Sequence, residues 1–222
     1  MRKLGLVTIG QTPREDIVGD LIPIFGPEVE LLQAGALDPY TREDIEGFVP
    51  NENELLLITR LRDGSSVFFP ERYILPGLQE CIRRLERQGA EMILFLCTEA
   101  FPEFESSVPL IFPCDILNGA VPALCPRSRA AVLVPKEEQI PQAYRKWKGL
   151  IQHMEVMAAS PFGAPEELEA AARACADLDV DLIVLDCIGY TSAMKEKVRE
   201  LSGKPVVLSR TLAARLVMEL LS

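Results

Sequence analysis

The sequence predicts an α/β protein of two flavodoxin-like, pseudo-symmetric halves, with mostly parallel sheets and a cleft between them. Three observations lead there. Short apolar runs alternate with amphipathic stretches of helical length along all 222 residues, the pattern of βαβ units. Two segments repeat one another: 91–97 (EMILFLC) and 181–187 (DLIVLDC) each run from an acid through an apolar strand to a thiol. The two thiols lie 90 residues apart, about the length of a small α/β half.

Residues 4–9 make the first strand, a continuous apolar run of the kind buried in parallel sheets. Thr12, Pro13 and Glu15 then offer a cap, a first-turn proline and a capping-box acid. The helix they open turns Ile17, Val18, Leu21 and Ile22 toward the core. Residues 29–33 form a second strand, and Thr41 caps a short helix that ends near Gly47. The runs 55–59 and 66–69, joined through Asp63-Gly64, read as a β-hairpin, because Asp-Gly favours tight turns. It has no counterpart in the second half and reads as an insertion. A helix over 76–88 stops at Gly89, and the first cysteine strand follows.

Prolines 109, 113, 122 and 126 mark 108–126 as an irregular crossover with a short helix between 115 and 123. The scheme then repeats: strand 130–134, helix 136–150, strand 155–159, helix 165–176, the second cysteine strand, helix 192–202 and strand 205–208. The amphipathic tail 211–221 is expected to fold back on the first half. The first half therefore takes residues 1–113 and 209–222, with the hairpin near 55–69, and the second takes 114–208.

An apolar share of 48% and a charged share of 25% fit a soluble globular chain. A net charge of −10 argues against a nucleic-acid partner, which needs a basic face. No run approaches the roughly 20 apolar residues of a membrane helix. The apolar run after Met1-Arg2-Lys3 is short and meets Gln11-Thr12-Pro13, unlike a signal peptide. A cytoplasmic protein with no membrane partner is expected. Six cysteines without a CxxC pair argue against disulfides and zinc, and one histidine, His153, makes no metal cluster. Cys81 and Cys175 fall in helical stretches as apolar filler. Cys114 and Cys125 sit in the Pro-rich crossover and have no chemical role in this reading.

A thiol at the carboxyl end of a buried parallel strand stands where open α/β sheets bind their ligands. Cys97 and Cys187 hold matching places, so the sequence expects them to face one another across the cleft. Both tails, Thr98-Glu99-Ala100 and Ile188-Gly189-Tyr190-Thr191, leave a strand and approach a helix start. Free N–H groups and a helix dipole there would favour thiolate and bind a carboxylate or carbonyl oxygen. Gly189 suits a backbone that meets a ligand or takes positive φ. A thiolate and a thiol on opposite faces of a carbon acid form a two-base device, one removing a proton and the other delivering one. Backbone donors must hold the enolate-like intermediate. No lysine has a pyridoxal phosphate context, so no cofactor is expected. Gly10, Gln11 and Arg14 of the first strand-to-helix loop complete the expected substrate contacts, Arg14 as a carboxylate fork. Tyr190 lines the pocket, donates its hydroxyl, or closes over it as an aromatic lid.

The segments 8–14 (TIGQTPR), 55–64 (LLLITRLRDG), 185–190 (LDCIGY), 205–209 and 214–216 resemble the AroM family over essentially the whole chain. That family is similar in turn to the aspartate/glutamate racemase superfamily, with its hydantoin racemases, maleate isomerases and arylmalonate decarboxylases. The resemblance implies two pseudo-symmetric α/β domains with a cysteine from each flanking the substrate. Cys97-Thr98 resembles the superfamily's first motif. Cys187-Ile188-Gly189-Tyr190 is closer to the Cys-x-Gly-large pattern of hydantoin racemases than to the Cys-Thr-His/Glu of amino-acid racemases. Gly10-Gln11 stands in place of the early Asp-Ser of the latter. The expected activity is a cofactor-independent racemase or isomerase acting through both cysteines on a small carboxylate, hydantoin or similar carbon acid. The alternatives are a one-cysteine decarboxylase or isomerase, and a non-catalytic binder of a small anionic metabolite in which Cys187 is only a pocket wall. The partner is in each case a small anionic or carbonyl-bearing molecule, and a homo-oligomer is compatible.

Overall fold

A computed structural model of the chain describes residues 1–52 and 54–221. Position 53, within the 1–113 segment, and position 222, the last of the 209–222 segment, lie outside the described residues. The chain divides into two compact units, one of Met1–Pro113 with the stretch from Val217 on, the other of Cys114–Leu216.

The first unit runs β1 (Arg2–Thr8), α1 (Glu15–Phe25), β2 (Val29–Gly35), α2 (Arg42–Glu46), β3 (Leu56–Arg60), β4 (Ser66–Pro70), α3 (Leu75–Arg87), β5 (Met92–Leu96) and β6 (Leu110–Ile111). From there follow α4 (Pro113–Leu124), β7 (Arg129–Val134), α5 (Ile140–Trp147), β8 (His153–Ala158), α6 (Pro165–Ala176), β9 (Leu182–Leu185), α7 (Ser192–Ser202), β10 (Val206–Leu208) and α8 (Ser209–Leu221). Two parallel sheets result, in the orders β2-β1-β5-β6 and β10-β9-β7-β8. With the hairpin β3–β4 set aside, each sheet reads 2-1-3-4 in the chain order of its own strands. The two halves are the same α/β unit repeated.

In that order the connections diverge between strands 1 and 3, where doubly wound sheets open a crevice at the carboxyl ends. The register Thr8↔Leu96 brings β1 and β5 to their ends together, and Leu133↔Leu185 does so for β7 and β9. Each unit thus releases its first-strand loop beside its third-strand cysteine. Every residue of β5 and β9 is buried, as the continuous apolar runs require of strands covered on both faces. Each such side chain contributes about 1.5–3 kcal/mol of transfer free energy.

Helices α6 and α7 have the bounds read from sequence, and the hairpin pairs antiparallel from Leu56↔Pro70 to Arg60↔Ser66. Four readings are corrected. Thr12 does not cap α1: the helix starts at Glu15 behind Arg14, with no side-chain cap, and Thr12-Pro13 is a cis peptide. The Thr12 hydroxyl donates instead to the carboxylate of Asp38, a charge-assisted bond. The crossover 108–126 is ordered, with strand β6 and a 12-residue helix α4. Pro113 sits at its first position, where no N–H is needed. The stretch 136–150 is a 3₁₀ turn, Glu137–Gln139, followed by an eight-residue α5. Finally, α8 starts at Ser209 directly after β10, and 209–216 belong with the second unit. Bonds from Ser209 and Arg210 to the Cys187 turn explain that membership. No helix among the described residues is long and apolar enough to cross a membrane.

Candidate active site

Cys187 leaves β9 at the switch position of the second sheet and is 9% exposed. The backbone N–H of Gly189 donates to its sulfur at 3.3 Å, a contact that a thiolate accepts more strongly than a thiol. Thr191 then caps α7 by accepting from the Met194 N–H at 3.1 Å, so the positive end of a helix follows the sulfur closely in sequence. The turn is braced on several sides. Asp186, buried, accepts from Lys146 Nζ at 2.7 Å and Trp147 Nε1 at 2.8 Å, both on α5. Ser209 Oγ donates to the Cys187 carbonyl at 3.0 Å, and Arg210 Nε to the Ile188 carbonyl at 2.8 Å.

Tyr190 is not a lid. It is fully buried and donates its hydroxyl to the Ala159 carbonyl at 2.5 Å. Burial, and then the charges of Cys187 and Asp186, push its ionisation well above the ordinary phenol range, so it stays a neutral donor. Gly189 serves close approach, but of protein: a Cβ there would stand 2.6 Å from the ring of Phe162 and 3.0 Å from Pro161. Its φ is not positive. Ile188 is buried and contributes its carbonyl.

Cys97 leaves β5 at the matching place of the first sheet and is 7% exposed, with Thr98 buried beside it. Here the expected helix start is absent, because residues 97–109 form neither helix nor strand. Pro102 and Pro109 interrupt the segment, and Phe101 and Phe104 pack their rings on Phe95 at 5.7 and 5.6 Å. Aromatic packing covers this end of the sheet where a helix covers the other. Glu99 is half-buried, and a second acid shares its surroundings. Burial and the charge of Glu99 raise the Glu71 carboxyl from its ordinary 4.5 to about 7. One Glu71 carboxyl oxygen is buried without a hydrogen-bond partner. Glu71 follows the hairpin in a 3₁₀ turn, and only the tertiary fold brings it toward Glu99.

The first-strand loop is tied into the fold at several points. A Cβ on Gly10 would meet Thr59 Oγ1 at 2.4 Å, so the hairpin lies directly on the loop. Gln11 donates to the Leu37 and Tyr40 carbonyls at 3.2 and 2.9 Å and accepts from the Arg62 N–H at 3.1 Å. Arg14, 3% exposed, does fork around a carboxylate, but that of Asp16, at 2.9 and 2.8 Å. Its Nη1 donates to the hydroxyls of Thr8 and Thr59. The three residues assigned from sequence to substrate contact therefore hold β1, the hairpin and α1 together. Asp38 completes the knot, accepting from the Thr12 and Gly35 N–H groups, Arg62 and Arg84. Burial works against its charge, yet the Thr12 N–H and hydroxyl, the Gly35 N–H and Arg84 hold its carboxyl below the usual range.

An open groove of about 800 Å³ in the second unit runs past the ends of β7 and β8, between Lys136, Met157, Ala159 and Glu167. Cys187 is not part of its lining, although Ala159 belongs both to the groove and to the Tyr190 brace. Among the described residues no group of three or more His, Cys, Asp or Glu can hold a metal ion.

Several solved structures share the fold. Allantoin racemase from Klebsiella pneumoniae superposes with a TM-score of 0.68 at 17% identity, over 100% of this chain and 88% of that one. The maleate isomerase Iso from Pseudomonas putida S16 gives 0.66 at 12%, over 99% and 92%. Unliganded arylmalonate decarboxylase gives 0.64 at 14%, over 100% and 93%. At these identities the likeness is one of fold. No curated protein matches the sequence. The sequence profile described as AroM protein matches residues 4–221, and the chain belongs to the AroM family.

Proposed function

We propose that this AroM-family chain is a cofactor-independent racemase or isomerase that moves a proton on a small carboxylate, hydantoin or similar carbon acid. Cys97 and Cys187 are its acid and base. One observation carries the reading: in both halves a cysteine follows within two residues of the third strand of a 2-1-3-4 parallel sheet, at the switch point. In the reaction one sulfur, as thiolate, takes the proton from carbon, and the electron pair left behind spreads into the adjacent carbonyl as an enolate. The other sulfur, as thiol, returns a proton to that carbon. The chemistry requires both sulfurs to reach one carbon, each at roughly 3–4 Å. Thr98 serves as a donor to the enolate oxygens, while the Gly189 N–H holds the Cys187 sulfur. Gly10, Gln11 and Arg14 act in this scheme by fixing the loop beside Cys97.

The direct experiment follows exchange of the substrate Cα proton in deuterated water across a panel of small carboxylates and hydantoins. Turnover with loss of about 10²–10⁴-fold in both Cys97→Ser and Cys187→Ser supports two-base catalysis. The unlike surroundings of the two thiols favour a second reading, with Cys187 working alone in a decarboxylase or one-base isomerase. That reading expects Cys97→Ser to keep most of its activity. Binding without exchange or carbon dioxide release for any compound of the panel returns the chain to the class of metabolite binders.

A further inference from the structure

Arg210 is among the largest fully buried side chains, 1% exposed, at the first turn of α8. Its Nε donates to the Ile188 carbonyl at 2.8 Å, while the neighbouring Ser209 Oγ donates to the Cys187 carbonyl at 3.0 Å. The start of α8 therefore grips two consecutive carbonyls of the thiol turn. A guanidinium stays protonated at every accessible pH. A permanent positive charge is thus lodged on the backbone of the residue next to Cys187.

Other charged and titratable groups face the same turn. Asp186 is matched by Lys146 at 2.7 Å. The Tyr190 phenol is kept neutral by burial. A buried cation is poorly screened by salt and acts on its surroundings through a lower effective dielectric than water.

We propose that Arg210 is the positioning cation of the Cys187 turn: it fixes the turn through Ile188 and favours the Cys187 thiolate at neutral pH. The inference rests on Cys187 being the acid–base thiol proposed above, and it assigns that thiol its electrostatic partner. Nothing in the sequence pattern marks Arg210, which sits between the last strand and the amphipathic tail.

The test reads the thiol without any substrate. The rate of Cys187 alkylation by iodoacetamide is measured against pH in the whole protein, with the Cys187 peptide followed by mass spectrometry. Arg210→Met keeps the aliphatic stem and deletes the charge. It is expected to raise the alkylation midpoint by about one pH unit or more, slowing reaction at neutral pH roughly tenfold. Arg210→Lys should restore most of the wild-type profile. Ser209→Ala, which loses the adjacent bond but no charge, should leave the midpoint in place. Should the Met variant not fold, Arg210→Gln, which retains a donor for the Ile188 carbonyl, takes its place. A folded neutral variant with the wild-type midpoint overturns the assignment, as does a wild-type Cys187 that resists alkylation until alkaline pH. Alkylation that behaves as stated, in a protein that neither exchanges a Cα proton nor releases carbon dioxide from any compound of the panel, sinks the enzyme reading and leaves Arg210 its role.

Discussion

At Glu71, burial and the charge of Glu99 push in one direction, so the folded protein holds this proton up to about pH 7 while the unfolded chain releases it near 4.5. A carboxyl with a raised folded pKa favours folding at low pH. That contribution is complete below pH 4.5, declines as pH rises through the window to about 7, and is gone above it. The full swing corresponds to about 3 kcal/mol, which the solvent reaching this half-buried carboxyl reduces to roughly 1 kcal/mol. Glu71→Gln, neutral at every pH, should therefore stabilise the protein by about 1 kcal/mol at pH 8 and leave it nearly unchanged at pH 4. Urea unfolding at the two pH values checks this, and an equal effect at both would remove the proton from the account. A buried ion pair behaves differently. Lys146→Met leaves the Asp186 carboxylate buried without its cation at 2.7 Å, and the expected loss is about 3 kcal/mol. A thermal midpoint within a degree or two of wild type would show that the pair is not what braces the Cys187 turn.

Among the elements, the hairpin is the one that decides what the first-strand loop can do. It presses Thr59 onto Gly10, sends the Arg62 N–H to Gln11 and ties Arg62 to Asp38. Gly10→Ala should cost about 1–3 kcal/mol by overpacking. Thr59→Ala, which removes the atoms nearest the new methyl, should recover part of that loss. A double-mutant cycle should show coupling of about 1 kcal/mol or more, whereas strict additivity would mean that the hairpin is not seated on the loop. The same element explains what the sequence could and could not tell. Its strands, like α6 and α7, were legible because Asp63-Gly64, Pro165 and Thr191 are local signals. That it lies on Gly10 was not, since no local pattern records a contact 49 residues away. The internal partners of Gln11 and Arg14 left no local trace for the same reason: a polar side chain in a strand-to-helix loop reads alike whether it serves a ligand or a neighbouring strand. The two cysteines were legible through repetition. The supports of the Cys187 turn, Lys146, Trp147, Phe162 and Arg210, come from other elements and leave no periodic trace. The missing helix after Cys97 belongs here too, for Pro102 and three phenylalanines outweigh the analogy with Cys187.

At the scale of the molecule, repetition of one 2-1-3-4 sheet raises the question of whether each half is a complete folding unit. The second unit is contiguous, Cys114–Leu216, and contains all four strands of its sheet. Apolar clusters cover it from both sides, one centred on Leu133, Leu185 and Tyr190, the other on Val132, Val184 and Trp147. Its length of about 100 residues suffices for an independent core. The first unit is interrupted, because it draws on the stretch from Val217 on, whose Val217 and Leu221 are buried. The fragment 114–216 should therefore fold alone, while 1–113 should be markedly less stable. Circular dichroism and urea unfolding of the fragments decide between the cases. The second-unit fragment is expected to show a cooperative transition with an m-value roughly half that of the whole chain, since m follows the surface exposed on unfolding. The Cys187 turn, the Asp186–Lys146 pair and Arg210 all lie inside this fragment. Its thiol should accordingly keep the alkylation profile of the intact protein. A fragment that remains a random coil under conditions where the whole chain is folded would mean that the repeated unit was never autonomous, and that the braces around Cys187 depend on the rest of the chain.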